Sequence, residues 1–158
     1  VASVMEDPAA DSIARVYADA LLDAVPADQL GDVIDELAQH FLLSVVTAKP
    51  VNQAIIAVDA LGMTGLFETV IGPQPDKPTP KARLLEDALA FIENKHGTRP
   101  RNDACWMIGD RHHDIDAATE VGTRSVGVLW GYGDEAELTT AGATAIARVP
   151  TDLLTILL

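Results

Sequence analysis

The stretch Met107-Ile108-Gly109-Asp110-Arg111-His112-His113-Asp114-Ile115-Asp116-Ala117-Ala118, MIGDRHHDIDAA, decides how the rest of the chain is read. An apolar run stops at a glycine, and seven of these twelve residues are Asp, Arg, His or Gly. The run Cys105 to Ile108 suits a buried strand, Gly109 permits a sharp exit, and a helix is predicted near 114–121. Asp110 then falls at the C-terminal tip of the strand and Asp114 near the start of the helix. Carboxylates in a loop suit a hard cation such as magnesium, which takes one or two of them plus phosphate and water. The same residues also suit a plain turn, with Asp114 or Asp116 capping the helix and Asp110 solvated. Spacing does not separate the two. His112 and His113 are weak zinc candidates, being adjacent and without further His or Cys ligands.

The strand-then-helix texture recurs on both sides. Leu42 to Val46 precedes a predicted helix near 51–61, and Thr69 to Ile71 one near 81–95. Ser125 to Leu129 precedes a short helix near 134–141, and Ala143 to Ala147 a last one from about Thr151. Five strands each followed by a helix predict an α/β domain with a mainly parallel sheet. Residues 11–41 differ. Ile13, Val16, Tyr17, Ala20, Leu21 and Ala24 recur at helical spacing, and Leu30, Val33, Ile34, Leu37, Ala38 and Phe41 repeat it after Pro26. A pair of amphipathic helices is predicted there. The expected division is therefore an N-terminal helical segment at 1–41 and an α/β core at 42–158.

Twenty-four Asp and Glu against eleven Lys and Arg give a formal charge of −13. That excess argues against nucleic acid or an anionic membrane as partner, since both need a basic face. A small anionic substrate remains compatible, because a local site can be cationic within an acidic protein. The single cysteine, Cys105, allows no internal disulfide, and no run reaches the roughly 20 apolar residues of a membrane span. A cytoplasmic protein is expected. The chain opens on Val1, which suggests a processed start or a fragment.

In a parallel sheet the loops after the strands gather along one edge, where ligands bind. The loop Ser44-Val45-Val46-Thr47-Ala48-Lys49-Pro50 offers a hydroxyl, neighbouring N–H groups and a helix N-terminus, an anion cradle or simply a helix cap. Lys81 opens the helix after the proline-rich 72–80 loop. A cation there opposes the helix dipole, so either a site favours it or it is a solvated lysine, with Lys77 a competing candidate.

In this order the residues resemble the haloacid dehalogenase superfamily of phosphatases, especially its phosphoglycolate-phosphatase-like branch. The resemblance rests on SVVTAKP (44–50), TPKARLLEDAL (79–89), MIGDRHHDIDAA (107–118), SVGVLWGYGDEAEL (125–138) and AGAT (141–144). It implies a Rossmann-like fold and hydrolysis of a small phosphorylated metabolite with Mg2+ as cofactor. Thr47 and Ala48 would then cradle the phosphate, and Lys81 would neutralise the transferring group. Asp110 would bind the metal with support from Asp114, and Arg111, Trp130 and Tyr132 would shape the substrate rim. The resemblance also implies a first, central strand ending in a DxD motif whose first Asp is the nucleophile. No such strand is evident. Asp114-Ile115-Asp116 belongs to the acidic loop, and Asp7 and Asp11 follow no apolar run. The chain is expected to lack the first central strand, and to be truncated and inactive or nearly so. The alternative is a non-catalytic binding or interaction module: a degenerate core of this family retained for binding, or stator-type helices, since residues 12–39 are also similar to the N-terminal helices of the ATP synthase delta subunit.

Overall fold

The computed structural model describes residues 13–16 and 27–158. It is an α/β fold built on a six-stranded parallel sheet. The strands are β1 (Ile13–Val16), β2 (Ser44–Val46), β3 (Thr69–Ile71), β4 (Cys105–Gly109), β5 (Arg124–Val128) and β6 (Ala145–Ala147), in the order β3-β2-β1-β4-β5-β6. The helices are α1 (Ala27–Ala38), α2 (Val51–Ala60), α3 (Lys81–His96), α4 (His112–Val121), α5 (Glu135–Ala141) and α6 (Asp152–Leu157). From β2 onward this is the predicted alternation, with element ends displaced by a residue or two.

The N-terminal part corrects two expectations. Ile13–Val16 form a strand, not the start of a helix, and that strand occupies the central position expected to be missing. It pairs with β4 through Ile13–Cys105, Ala14–Trp106, Arg15–Met107 and Val16–Ile108, and with β2 through Val16–Val45. The physical reason is pairing. Without β1, β2 and β4 would each present a row of unsatisfied backbone groups to a gap in the sheet, so a short segment there gains ladder hydrogen bonds on both sides. Four residues are too few for their own periodicity to distinguish strand from helix. The rest of the first predicted helix, together with Asp7 and Asp11, lies outside the described residues.

The second predicted helix is present as α1. Leu30, Val33, Ile34 and Leu37 are buried, one stripe of a 3.6-residue period. They join Leu43, Ile108, Val126, Val128, Ala147 and Leu153 in one apolar cluster, so α1 covers the same sheet that carries the acidic loop. Burying each such side chain stabilises the fold by about 1.5–3 kcal/mol. Val46, Leu84, Leu85, Ala88, Met107 and Ala118 form a second cluster, locking α3 and α4 to β2 and β4. This layer fixes the start of α3 relative to the tip of β4. Gly122, at φ 85°, ends α4 in the left-handed conformation that lets the chain turn into β5. Among the described residues no helix is long and apolar enough to cross a membrane.

Candidate active site

All strands run in parallel, so Thr47 after β2 and Asp110 after β4 leave the sheet at the same edge, on either side of β1. Asp110 is buried, and its Oδ2 accepts the Tyr132 backbone N–H at 2.7 Å. Among the described residues no cation pairs with it. The WGYG loop can approach this closely because of its glycines. A Cβ on Gly131 would collide with the Asp110 side chain, and one on Gly133 with the Asp110 carbonyl oxygen.

Asp114 is also buried, and both its oxygens are engaged. Oδ1 pairs with Lys81 Nζ at 3.1 Å, and Oδ2 accepts the Arg111 backbone N–H at 3.2 Å. Gly109 admits it, since a Cβ there would run into the Asp114 carboxylate. Burial raises the Asp114 carboxyl above the ordinary carboxylate range, against the lowering pull of Lys81 and the Arg111 N–H. The pair accounts for the cation at the first position of α3. Lys81 opposes the helix dipole, worth about 0.3–1 kcal/mol, but it gives a buried carboxylate its counter-charge. Lys77, the competing candidate, is exposed.

Thr47 is fully buried, and its Oγ1 accepts the Lys49 N–H at 3.0 Å. It is not the cap of α2, which begins after Pro50 with no side-chain cap. The accepted bond leaves the hydroxyl proton available to an anion. Ala48 beside it is exposed. Of the three rim candidates, Tyr132 is 73% exposed and the Arg111 side chain half-exposed. Trp130 instead packs against the core cluster of α1, with its Nε1 buried and unpartnered. The structure thus links Lys81, Asp114, Arg111, Asp110 and Tyr132 by contacts on one side of β1, and sets Thr47 and Ala48 on the other.

The His112 and His113 rings lie with centroids 3.9 Å apart, tilted by 60°, and His112 Nδ1 lies 3.1 Å from Asp116 Oδ2 on the half-exposed face of α4. Among the described residues no three His, Cys, Asp or Glu side chains form a metal-holding cluster. Asp110 is a buried carboxylate, the donor type that suits a hard cation, and among the described residues no cation forms an ion pair with it.

A residue that the sequence pattern did not single out is Glu137. Glu137, in the first turn of α5, accepts both the Arg111 Nε–H and the His112 backbone N–H at 2.9 Å each. Its only sequence signal is Asp134 three residues earlier, whose side chain caps the Glu137 N–H at 2.8 Å.

A lysine-paired acidic loop and a buried threonine lie at the carboxyl edge of a parallel α/β sheet, the edge where ligands bind in such folds. The HAD-hydrolase-like family profile matches residues 77–156, just over half of the chain, and the chain belongs to that family. A phosphoglycolate phosphatase from Synechococcus elongatus is 30% identical over 84% of this chain and 61% of its own length. The tyrosine-protein kinase PtkA of Mycobacterium tuberculosis is 31% identical over 78% of this chain and 41% of its own. A haloacid dehalogenase-like family hydrolase from Streptococcus pneumoniae superposes with a TM-score of 0.72 at 25% identity, covering 82% of this chain and 59% of that one. The chain therefore spans less than two thirds of the length of these relatives.

Proposed function

We propose that this chain is the phosphate- and magnesium-binding core of a phosphoglycolate-phosphatase-like phosphomonoesterase for a small phosphorylated metabolite, inactive or nearly so by itself. The observation that carries the binding half is the buried Lys81–Asp114 pair at 3.1 Å beside the buried Asp110 carboxylate, which forms no ion pair among the described residues. Phosphoryl transfer is chiefly positioning and charge stabilisation, and these side chains supply both. Thr47 donates its hydroxyl to a phosphate oxygen and the Ala48 N–H adds a neighbouring donor. Lys81, oriented by Asp114, neutralises the anion. Asp110 would hold Mg2+, with Asp114 supporting it, and the ion when bound adds Lewis-acid stabilisation of charge on the phosphoryl oxygens. Arg111 and Tyr132 stand at the rim.

The inactivity rests on β1. That strand is central, yet its residues are Ile13, Ala14, Arg15 and Val16, and the sequence continues Tyr17-Ala18-Asp19. The strand of the family is here without the DxD pair that would supply nucleophile and proton donor. The test assays a generic phosphomonoester with Mg2+ and, in parallel, follows melting with Mg2+ plus inorganic phosphate. The expected result is a rise in Tm, since a ligand selective for the folded state stabilises it, with no turnover. Asp110→Asn should remove the rise. Robust turnover that Asp110→Asn abolishes would overturn the inactivity, and no Tm shift with both ligands would overturn the metal and phosphate assignment.

A non-catalytic binding module is the second reading, favoured by the same β1 residues. A surviving Tm response without turnover, and with a bound phosphorylated ligand recovered from the purified chain, would favour it.

A further inference from the structure

We propose that Glu137 is a positioning residue that clamps the acidic loop, holding Asp110 and the Lys81–Asp114 pair in register from the opposite side of the WGYG loop. One carboxylate oxygen, Oε1, receives two bonds at 2.9 Å. The Arg111 Nε–H comes from the residue after Asp110, and the His112 N–H from the first residue of α4. The first turn of a helix leaves its N–H groups without internal partners, and a carboxylate there is well placed for both geometry and charge. α4 is the helix whose Asp114 holds Lys81, so fixing its start fixes that ion pair.

The clamp closes a ring of contacts. From Asp110 the Tyr132 N–H bond leads into the WGYG loop, and Asp134 starts α5 by accepting the Glu137 N–H. Glu137 then reaches back to Arg111 and His112. Both ends of the 132–137 segment are thus tied to the residues that carry Asp110. Removing the carboxylate leaves the Tyr132–Asp110 bond as the remaining hydrogen bond between this segment and the acidic loop among the described residues. The Arg111 guanidinium holds the Glu137 carboxyl below the ordinary carboxylate range, with the His112 N–H adding to it, so the clamp is ionised at neutral pH. Glu135, two residues earlier and so on a different face of the same helix, pairs with both Arg148 guanidinium NH groups at 2.7 and 2.8 Å. It is the natural control.

The magnesium part of this proposal rests on the function proposed above; the clamp itself does not. The full chain is compared with Glu137→Ala, Glu137→Gln and Glu135→Ala by amide hydrogen exchange and by Mg2+ titration in the presence of inorganic phosphate. In Glu137→Ala the His112 amide is expected to exchange roughly tenfold faster, having lost its acceptor. The Mg2+ Kd is expected to weaken about tenfold, the usual cost of losing a partner that orients a metal ligand. Glu137→Gln, whose amide oxygen can accept the same bonds, should recover most of the loss, and Glu135→Ala should change neither quantity. Faster exchange with unchanged Mg2+ affinity would reduce Glu137 to a structural contact and overturn the positioning role. So would equal losses in the Glu135 and Glu137 variants. If the unmodified chain shows no Mg2+ response, the magnesium assignment fails, and exchange at His112 still decides the clamp: unchanged protection in Glu137→Ala refutes it.

Discussion

The two sides of the β1 seam are built to different standards. On the β4–β5 side Asp110 and Asp114 are buried, each carboxylate is bonded, and glycines at 109, 131 and 133 bring backbone against them. On the β2 side a three-residue strand that begins with the buried Ser44 leads to the buried Thr47, whose hydroxyl accepts the Lys49 N–H. Between them β1 fills the sheet but brings no carboxylate of its own. The difference follows from charge. A buried carboxylate without partners costs several kcal/mol, so both carboxyls accept a backbone N–H and Asp114 takes Lys81 as well. A buried hydroxyl costs far less, and the Ser44 hydroxyl is buried with no bond among the described residues.

Breaking the charged side should therefore cost most. Lys81→Met leaves Asp114 buried without its counter-charge, and a loss of about 3 kcal/mol in urea unfolding is expected. Because burial already raises the Asp114 carboxyl, removing Lys81 raises it further, and the folded variant favours the protonated acid. The sign is then fixed: the loss should shrink as the pH falls and Asp114 takes a proton. A loss independent of pH would mean the ion pair is not its source. Next comes Gly131→Ala, whose new methyl group overlaps the Asp110 side chain. About 1–3 kcal/mol is expected, with Mg2+ binding lost as well. Gly65→Ala, with open space around the position, should lie near zero in the same thermal scan.

These contrasts also mark what the amino-acid order could disclose. Strands and helices from Ser44 onward were legible because each apolar run is bounded by Gly, Pro or Asp, as at Gly109 and Pro50. The positions of Thr47, Lys81 and Asp110 on one edge then followed from parallel topology. β1 was not legible. Ile13-Ala14-Arg15-Val16 is too short for its own period to decide, and only the gap between β2 and β4 makes it a strand. The Lys81–Asp114 pairing, 33 positions apart in sequence, depends on how α3 packs on α4 and has no local signature. The packing of the Trp130 ring against the α1 cluster has no local signature either.

On the lightly built side, Thr47→Val keeps the shape but removes the acceptor for the Lys49 N–H, and about 1 kcal/mol is expected in chemical denaturation. Phosphate-dependent stabilisation should disappear with it, whereas a plain packing role would leave that response intact.

The smallest effect tests the opposite end of the sheet, away from any site. Glu68, just before β3, receives Lys95 Nζ at 2.7 Å and His96 Nε2 at 3.1 Å from the end of α3. Burial pushes its carboxyl up, but the bonds from Lys95 and His96 outweigh that and hold it below its ordinary value of 4.5. A carboxylate lowered on folding stabilises the fold above its unfolded pKa and loses that contribution as the pH falls through the folded one. The advantage of the unmodified chain over Glu68→Gln should thus be complete above about pH 4.5 and fade below it. Because Lys95 is half-exposed, it should stay under about 1 kcal/mol and shrink with added salt. An advantage that instead grew toward acid would show that burial, not the two cations, sets the behaviour of this carboxylate. The contrast with Asp114 would then vanish, since both groups would be raised by burial and both would stabilise the fold most when protonated.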